Sequence, residues 1–119
     1  MLDKQTIGKL GEDLALKFLK NKGFLMISRN FRVRGGEIDL VCQKAGQLHF
    51  IEVKTRTNLA FGYGEESVNY FKRRRLKTAI LEYLSRNNVK QQWQIDVIVI
   101  ELNVVAKKAK VRYYEAVEL

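Results

Sequence analysis

An α/β domain, with a central mixed β-sheet of about five strands flanked by α-helices, is predicted by three observations. Two long segments carry apolar residues at helical spacing. The remaining segments are short runs rich in β-branched and aromatic residues, separated by breaks containing Gly or Asn. The order along the chain is helix, three strands, helix, two strands. With 119 residues, 46% of them hydrophobic, the chain is expected to form one domain over residues 1–119 around one core.

The first helix is predicted from Asp3 to Lys22, stopping at Gly23. Ile7, Leu10, Leu14, Ala15, Phe18 and Leu19 form its apolar stripe, and Glu12 sits at the edge of that arc. Glu12 reads either as an ordinary boundary glutamate or as a carboxylate looking along the buried face. Phe24 to Phe31 is the first strand, and Arg34-Gly35-Gly36 turns the chain into a hairpin. Residues 57–66 are expected to be a long loop of the kind that touches ligands. The second helix is predicted from Ser67, its N-cap, to Asn87, with Val68, Leu76, Ala79, Ile80 and Tyr83 inward. Lys72 falls within that stripe, either snorkelling outward or reaching an anionic site. Trp93 to Leu102 and Lys110 to Val117 complete the sheet, and Asp96 interrupts the apolar run of the former.

The hairpin carries the chemistry. Gly36 to Lys44 and Gln47 to Lys54 flank Ala45-Gly46, a two-residue loop. Counting outward from that loop sets Asp39 opposite Glu52 and Glu37 opposite Lys54. Opposed residues share a face with Cβ atoms about 5 Å apart. Two carboxylates that close repel unless something positive lies between them. A divalent metal is such a thing, whereas folding alone gives no reason for the pair. A one-residue slip would turn Glu52 to the other face, but Glu52 and Lys54 stay together in any register.

The net charge is +9, and the cations cluster. Arg32 and Arg34 precede the hairpin, Arg56 follows it, and Lys72, Arg73, Arg74 and Arg75 lie in one run. A solvated surface explains any single lysine, while the whole pattern points to nucleic acid. No apolar run is long enough to cross a bilayer, and no membrane-surface helix is expected. A lone Cys42 excludes an internal disulfide and a cysteine-rich zinc site, so a cytoplasmic location is the default expectation. No glycine-rich nucleotide loop is present, His49 faces away from Glu52, and Ser28, Ser67 and Ser85 have no partner base.

Mg2+ (or Mn2+) takes oxygen ligands, often one or two carboxylates with water and phosphate. Asp39 and Glu52 offer such a half-site. Such an ion steadies negative charge building on a phosphodiester, while Lys54 contacts a phosphate oxygen or orients the attacking water. Two acids, one lysine and a basic surround thus suffice for phosphodiester hydrolysis, and the expected function is a Mg2+-dependent endonuclease acting on DNA, branched DNA included, with DNA favoured over RNA as the partner. The competing reading is a nucleic-acid-binding module of the same fold without turnover, and a third is an accessory protein docking on protein or ribosomal RNA.

Gly11-Glu12 with Ala15 and Phe18-Leu19, Gly23-Phe24, Arg29-Asn30, Gly36-Glu37-Ile38-Asp39-Leu40 and Phe50-Ile51-Glu52-Val53-Lys54-Thr55-Arg56 together resemble the YraN-like family of small bacterial proteins. Ser67-Val68 with Lys72 and Asp96-Val97 also fit. That family is similar to the restriction-endonuclease-like (PD-(D/E)xK) superfamily and to archaeal Holliday junction resolvases. The resemblance implies a restriction-endonuclease-like core, metal on Asp39 and Glu52, Lys54 as catalytic lysine, and Glu12 as the first-helix glutamate of the site. It also matches Lys72 to a helix lysine, and analogy with the resolvases suggests a homodimer. Trp93-Gln94-Ile95 departs from the arginine and phenylalanine usual before Asp96.

Overall fold

The structure, a computed structural model, describes residues 3–58 and 70–119. Its order is α1 (Lys4–Asn21), β1 (Leu25–Val33), β2 (Gly36–Lys44), β3 (Gln47–Thr57), α2 (Tyr70–Arg86), β4 (Trp93–Asn103) and β5 (Lys108–Tyr114). The expected loop beyond Asn58, the Ser67 cap and Val68 lie outside the described residues.

The five strands form one sheet in the order β1-β2-β3-β4-β5. Only β3 and β4 run parallel. Antiparallel neighbours can be joined by tight turns, whereas a parallel pair needs a crossover, and α2 lies on that crossover. At the β2–β3 turn Ala45 and Gly46 both have positive φ, 51° and 77°, as a type I′ turn demands. That turn locks Lys44 to Gln47, so the expected register holds through Leu40–Ile51.

The helices cover opposite faces. On one, Ile7, Ala15 and Leu19 of α1 pack with Leu40, Cys42, Ile51, Ile98 and Ile100. On the other, Leu76, Ala79, Ile80 and Tyr83 of α2 pack with Ile38, Val41, Leu48, Phe50 and Ile95. Asp3 caps α1, its carboxylate accepting the Thr6 N–H at 2.7 Å. At the other end Gly23 takes φ 90°, and the Phe24 N–H reaches back to the Leu19 carbonyl, closing the helix in a Schellman-type stop. Leu10, expected inside, is 38% exposed. The buried row is instead Ile7, Gly11, Ala15 and Leu19, an i, i+4 series narrow enough to let α1 lie close on β3.

Two glycines set how close the helices come. A Cβ on Gly11 would stand 1.8 Å from Thr55 Oγ1 of β3. A Cβ on Gly36 would stand 2.5 Å from the Arg75 carbonyl oxygen and 2.8 Å from the Ala79 nitrogen of α2. The last strand also differs from expectation: β5 begins at Lys108 and ends at Tyr114, not at Val117. Ala116 takes φ 51° and gives its N–H to the Asp96 carboxylate, which draws the chain out of the ladder. Among the described residues, no helix is long and apolar enough to cross a membrane.

Gly36→Ala should destabilise the protein by about 1–3 kcal/mol, because the obstacle is helix backbone and cannot rotate away. Urea unfolding followed by circular dichroism would read this as a lower midpoint at unchanged slope. An unaltered midpoint would mean that α2 does not press on β2 as described.

Candidate metal and nucleic-acid site

β2 and β3 part company at Asp39. The ladder ends at Leu40–Ile51, so continuing the register puts Asp39 across from Glu52 without a backbone pair. The Asp39 Oδ2 instead accepts the Val53 N–H at 2.8 Å. A side-chain carboxylate thus stands where a strand carbonyl would have been. The alternation of faces also breaks here. Leu40 packs under α1, yet Ile38, two residues earlier, packs under α2. β1 shares the irregularity. Between the pairs Arg29–Leu40 and Phe31–Ile38, Asn30 lies across from Asp39 in a left-handed conformation, φ 54°. Asparagine is one of the few non-glycine residues that adopts it readily.

Glu52 and Lys54 follow on β3, on the α2 side with Leu48 and Phe50. The expected Glu37–Lys54 pair does not form. Glu37 instead binds Arg32, its partner across the β1–β2 ladder, because the β2–β3 ladder has already opened. Arg32 remains 71% exposed and thus displays its cation at the rim with one edge committed to Glu37.

Burial dominates the electrostatics of the acids. It lifts the Asp39 carboxyl to about 7 against the opposing Val53 N–H, and the nearby charges of Glu52, Glu12 and Glu37 push the same way. Burial also raises Glu52, while Lys72 and Lys54 pull it back down. Lys54 is lowered, first by burial and then by Lys72, Arg56 and Arg73, with Glu52 acting against them. Asp39, Glu52, Lys54, Lys72, Arg56 and Arg73 therefore share one electrostatic neighbourhood. Lys72 is exposed on the first turns of α2, and its charge is felt at both Glu52 and Lys54.

Glu12 is held back from the acid pair. Arg29 of β1 donates to it at 3.3 Å and reaches Asp13 at 2.8 Å. Its charge is still felt at Asp39. Among the described residues there is no cluster of three or more His, Cys, Asp or Glu arranged to hold a metal. The two acids the register and the electrostatics bring near each other are Asp39 and Glu52, and the Asp39 Oδ2 is already engaged by a backbone N–H. Two carboxylates completed by water and phosphate oxygens suit Mg2+ or Mn2+, so the residues present fit such an ion. Arg34, Arg74 and Arg75 are exposed; Arg75 sits where α2 crosses Gly36, and Arg34 in the β1–β2 turn.

Sequence reasoning passed over a second polar cluster. Asp96 is fully buried and takes four donors: His49 Nδ1 at 2.7 Å, the Tyr113 hydroxyl at 2.5 Å, Gln94 Nε2 at 2.8 Å and the Ala116 N–H at 2.9 Å. The ring of His49 packs edge-on against Phe24, 4.9 Å between centroids. These contacts tie β3, β4, β5 and the chain after β5 together, which is a structural role. The signal was present as an aspartate inside an apolar strand with a histidine on another strand. Cys42, expected to pack, is fully buried nearby, and burial pushes its thiol up to about 12.

The pattern that defines the "Uncharacterised protein family UPF0102" matches residues 11–100. Among similar chains, a UPF0102 protein of Alkaliphilus oremlandii is 39% identical over 112 residues, covering 93% of this chain and 96% of that one. One of Dictyoglomus turgidum is 39% identical over 103 residues, 86% of this chain and 87% of its own. One of Nocardia farcinica is 41% identical over 97 residues, covering 81% and 76% respectively.

Two outcomes test this geometry. Asp39 binds its proton more tightly in the fold, near pH 7, than its ordinary 3.8 would allow. The stability it contributes is thus full below about pH 4, declines as pH rises, and is gone above about pH 7. In the presence of chelator, Asp39→Asn, which keeps an acceptor for Val53, should remove that decline and gain about 2–4 kcal/mol at pH 8. Parallel pH-stability curves for the two proteins would refute the burial. Asp96→Ala leaves several buried donors unmet and should cost about 3 kcal/mol or more, read as a fall in the thermal midpoint.

Proposed function

This chain belongs to the uncharacterised protein family UPF0102, and on that footing we propose that it is a Mg2+- or Mn2+-dependent endonuclease acting on DNA. The fold is α/β and the family lies in the restriction-endonuclease-like superfamily. One observation supports the reading: Asp39 is tied to the Val53 N–H at the opened end of the hairpin, where the charge of Glu52 reaches it and the charge of Lys54 reaches Glu52. Isolated, that pair of acids is a liability to the fold. A divalent cation turns it into a binding site, and when bound it offsets negative charge developing on a phosphodiester.

The protein's own residues do the rest. The Val53 N–H fixes the Asp39 carboxylate through Oδ2. Glu52 supplies the second oxygen donor. Lys54, whose ammonium is weakened by burial, is placed to hold a phosphate oxygen or orient the attacking water, and to pass a proton more readily than an exposed lysine. Arg56, Lys72 and Arg73 add positive charge around Lys54 and attract the polyanion. Glu12, which Arg29 holds, would be a further oxygen donor for a divalent ion or its water shell, its charge already being felt at Asp39.

The second reading is a binding module without turnover. It is favoured by the Glu12–Arg29 ion pair, which withholds the third carboxylate. Titration calorimetry with Mn2+ on the wild type and Glu52→Gln, followed by incubation with junction, flap, single-stranded and duplex DNA, separates the two. The nuclease reading expects binding that Glu52→Gln abolishes, cleavage that Asp39→Ala abolishes, and a loss of about 10²–10³-fold in rate for Lys54→Ala with metal binding retained. DNA binding with neither metal uptake nor cutting would leave the module reading standing alone.

A further inference from the structure

On the α2 side of the sheet, next to the acids but lined by none of them, lies a groove of about 440 Å³. Ile80, Ile95 and Trp93 form its apolar surface, and Arg73 and Lys77 stand along its wall. No acidic side chain is among the described residues that line it. Trp93 is the chain's single tryptophan and opens β4. Its ring meets Phe50 at 5.6 Å between centroids and 69° between planes, yet 42% of the residue stays in water. Leu81 beside it is 57% exposed. An aromatic surface kept wet next to three cations, Arg73, Arg74 and Lys77, has a specific chemical complement. Bases stack on the ring, and phosphates meet the guanidinium groups and the ammonium. A duplex hides its base faces, so the complement is an unpaired strand.

The groove also borders the acid site. Arg73 lines it and is felt at Lys54. Val97 pairs with Glu52, and Trp93 lies four residues earlier on the same strand. At the rise of a β-strand that separation is about 13 Å, a span of a few nucleotides. We infer that this groove is a track for an unpaired nucleic-acid strand, with a base stacked on Trp93 and its phosphates on Arg73 and Lys77. The substrate class is then DNA carrying a single-stranded arm. The inference rests on the nucleic-acid part of the function proposed above, and not on catalysis.

The test uses the full chain in EDTA and at low salt, so that no metal is needed. A short oligothymidylate and a blunt duplex of equal length are titrated while tryptophan emission and the anisotropy of a labelled oligonucleotide are read. The track expects salt-sensitive binding, emission quenched by the single strand and not by the duplex, and about tenfold weaker single-strand binding for Trp93→Leu at unchanged duplex affinity. Lys77→Glu, which leaves the apolar surface intact, should weaken the single strand as well. Single-strand binding with unaltered emission, equal quenching by duplex, or undiminished binding by both variants overturns it. So does a concentration-dependent emission shift without nucleic acid, which would mean that a second copy fills the groove. Absence of any nucleic-acid binding sinks both this inference and the function it rests on. Quenching that persists while Mn2+ fails to bind sinks only the nuclease.

Discussion

The hydrogen bond from the Val53 amide to the Asp39 carboxylate is the constraint on which the site depends. It replaces a backbone pair with a side-chain pair at the point where the hairpin opens. Because the carboxylate is tied into the sheet, it cannot escape to solvent when ionised. Its burial and its nearness to Glu52 are therefore unavoidable, and a proton or a cation must offset the charge. The kink at Asn30 in the neighbouring strand is the matching deformation. It lets β1 follow β2 through the change of face, so that Ile38 and Phe31 serve one core while Leu40 serves the other.

The helices then bring charge to this opening from both sides. α1 can lie on β3 only because Gly11 has no side chain, and that contact sets the next residue, Glu12, within electrostatic reach of Asp39. α2 can lie on β2 only because Gly36 has none, and that contact sets Lys72 and Arg73 within electrostatic reach of Lys54. The acids are thus contributed mainly by the sheet, and the cations by β3 (Lys54, Arg56) and α2 (Lys72, Arg73) together. Arg29 moderates the arrangement by holding Glu12 and Asp13.

Stability and the proposed chemistry rest on separate polar clusters. Asp96 has every oxygen committed to donors from β3, β4, β5 and the segment beyond, so its burial is compensated locally. Asp39 has one backbone donor and otherwise faces other carboxylates. A fully buried aspartate and a partly buried one in the same sheet therefore have opposite meanings, and it is the count of donors around each that separates them.

Much was legible in the chain itself. Periodicity gave both helices, and the turn chemistry of Ala45-Gly46 gave the register that sets Asp39 across from Glu52. These are local rules, carried by residues close in sequence. What was not legible depends on contacts between distant residues. Leu10 reads as buried by its spacing, but only the close fit of Gly11 on Thr55 decides which row of α1 faces inward. Glu37 reads as a partner for Lys54, but the Asp39 side chain stops the ladder first and Arg32 takes it. The end of β5 was missed because the Asp96 carboxylate, far back in the chain, captures the Ala116 amide. The sequence by itself determined the elements, their order and which carboxylates and lysine stand as candidates on the hairpin. Only the tertiary structure decided their charge state and their company, because burial and neighbouring charge arise when separate strands and helices close over the same space.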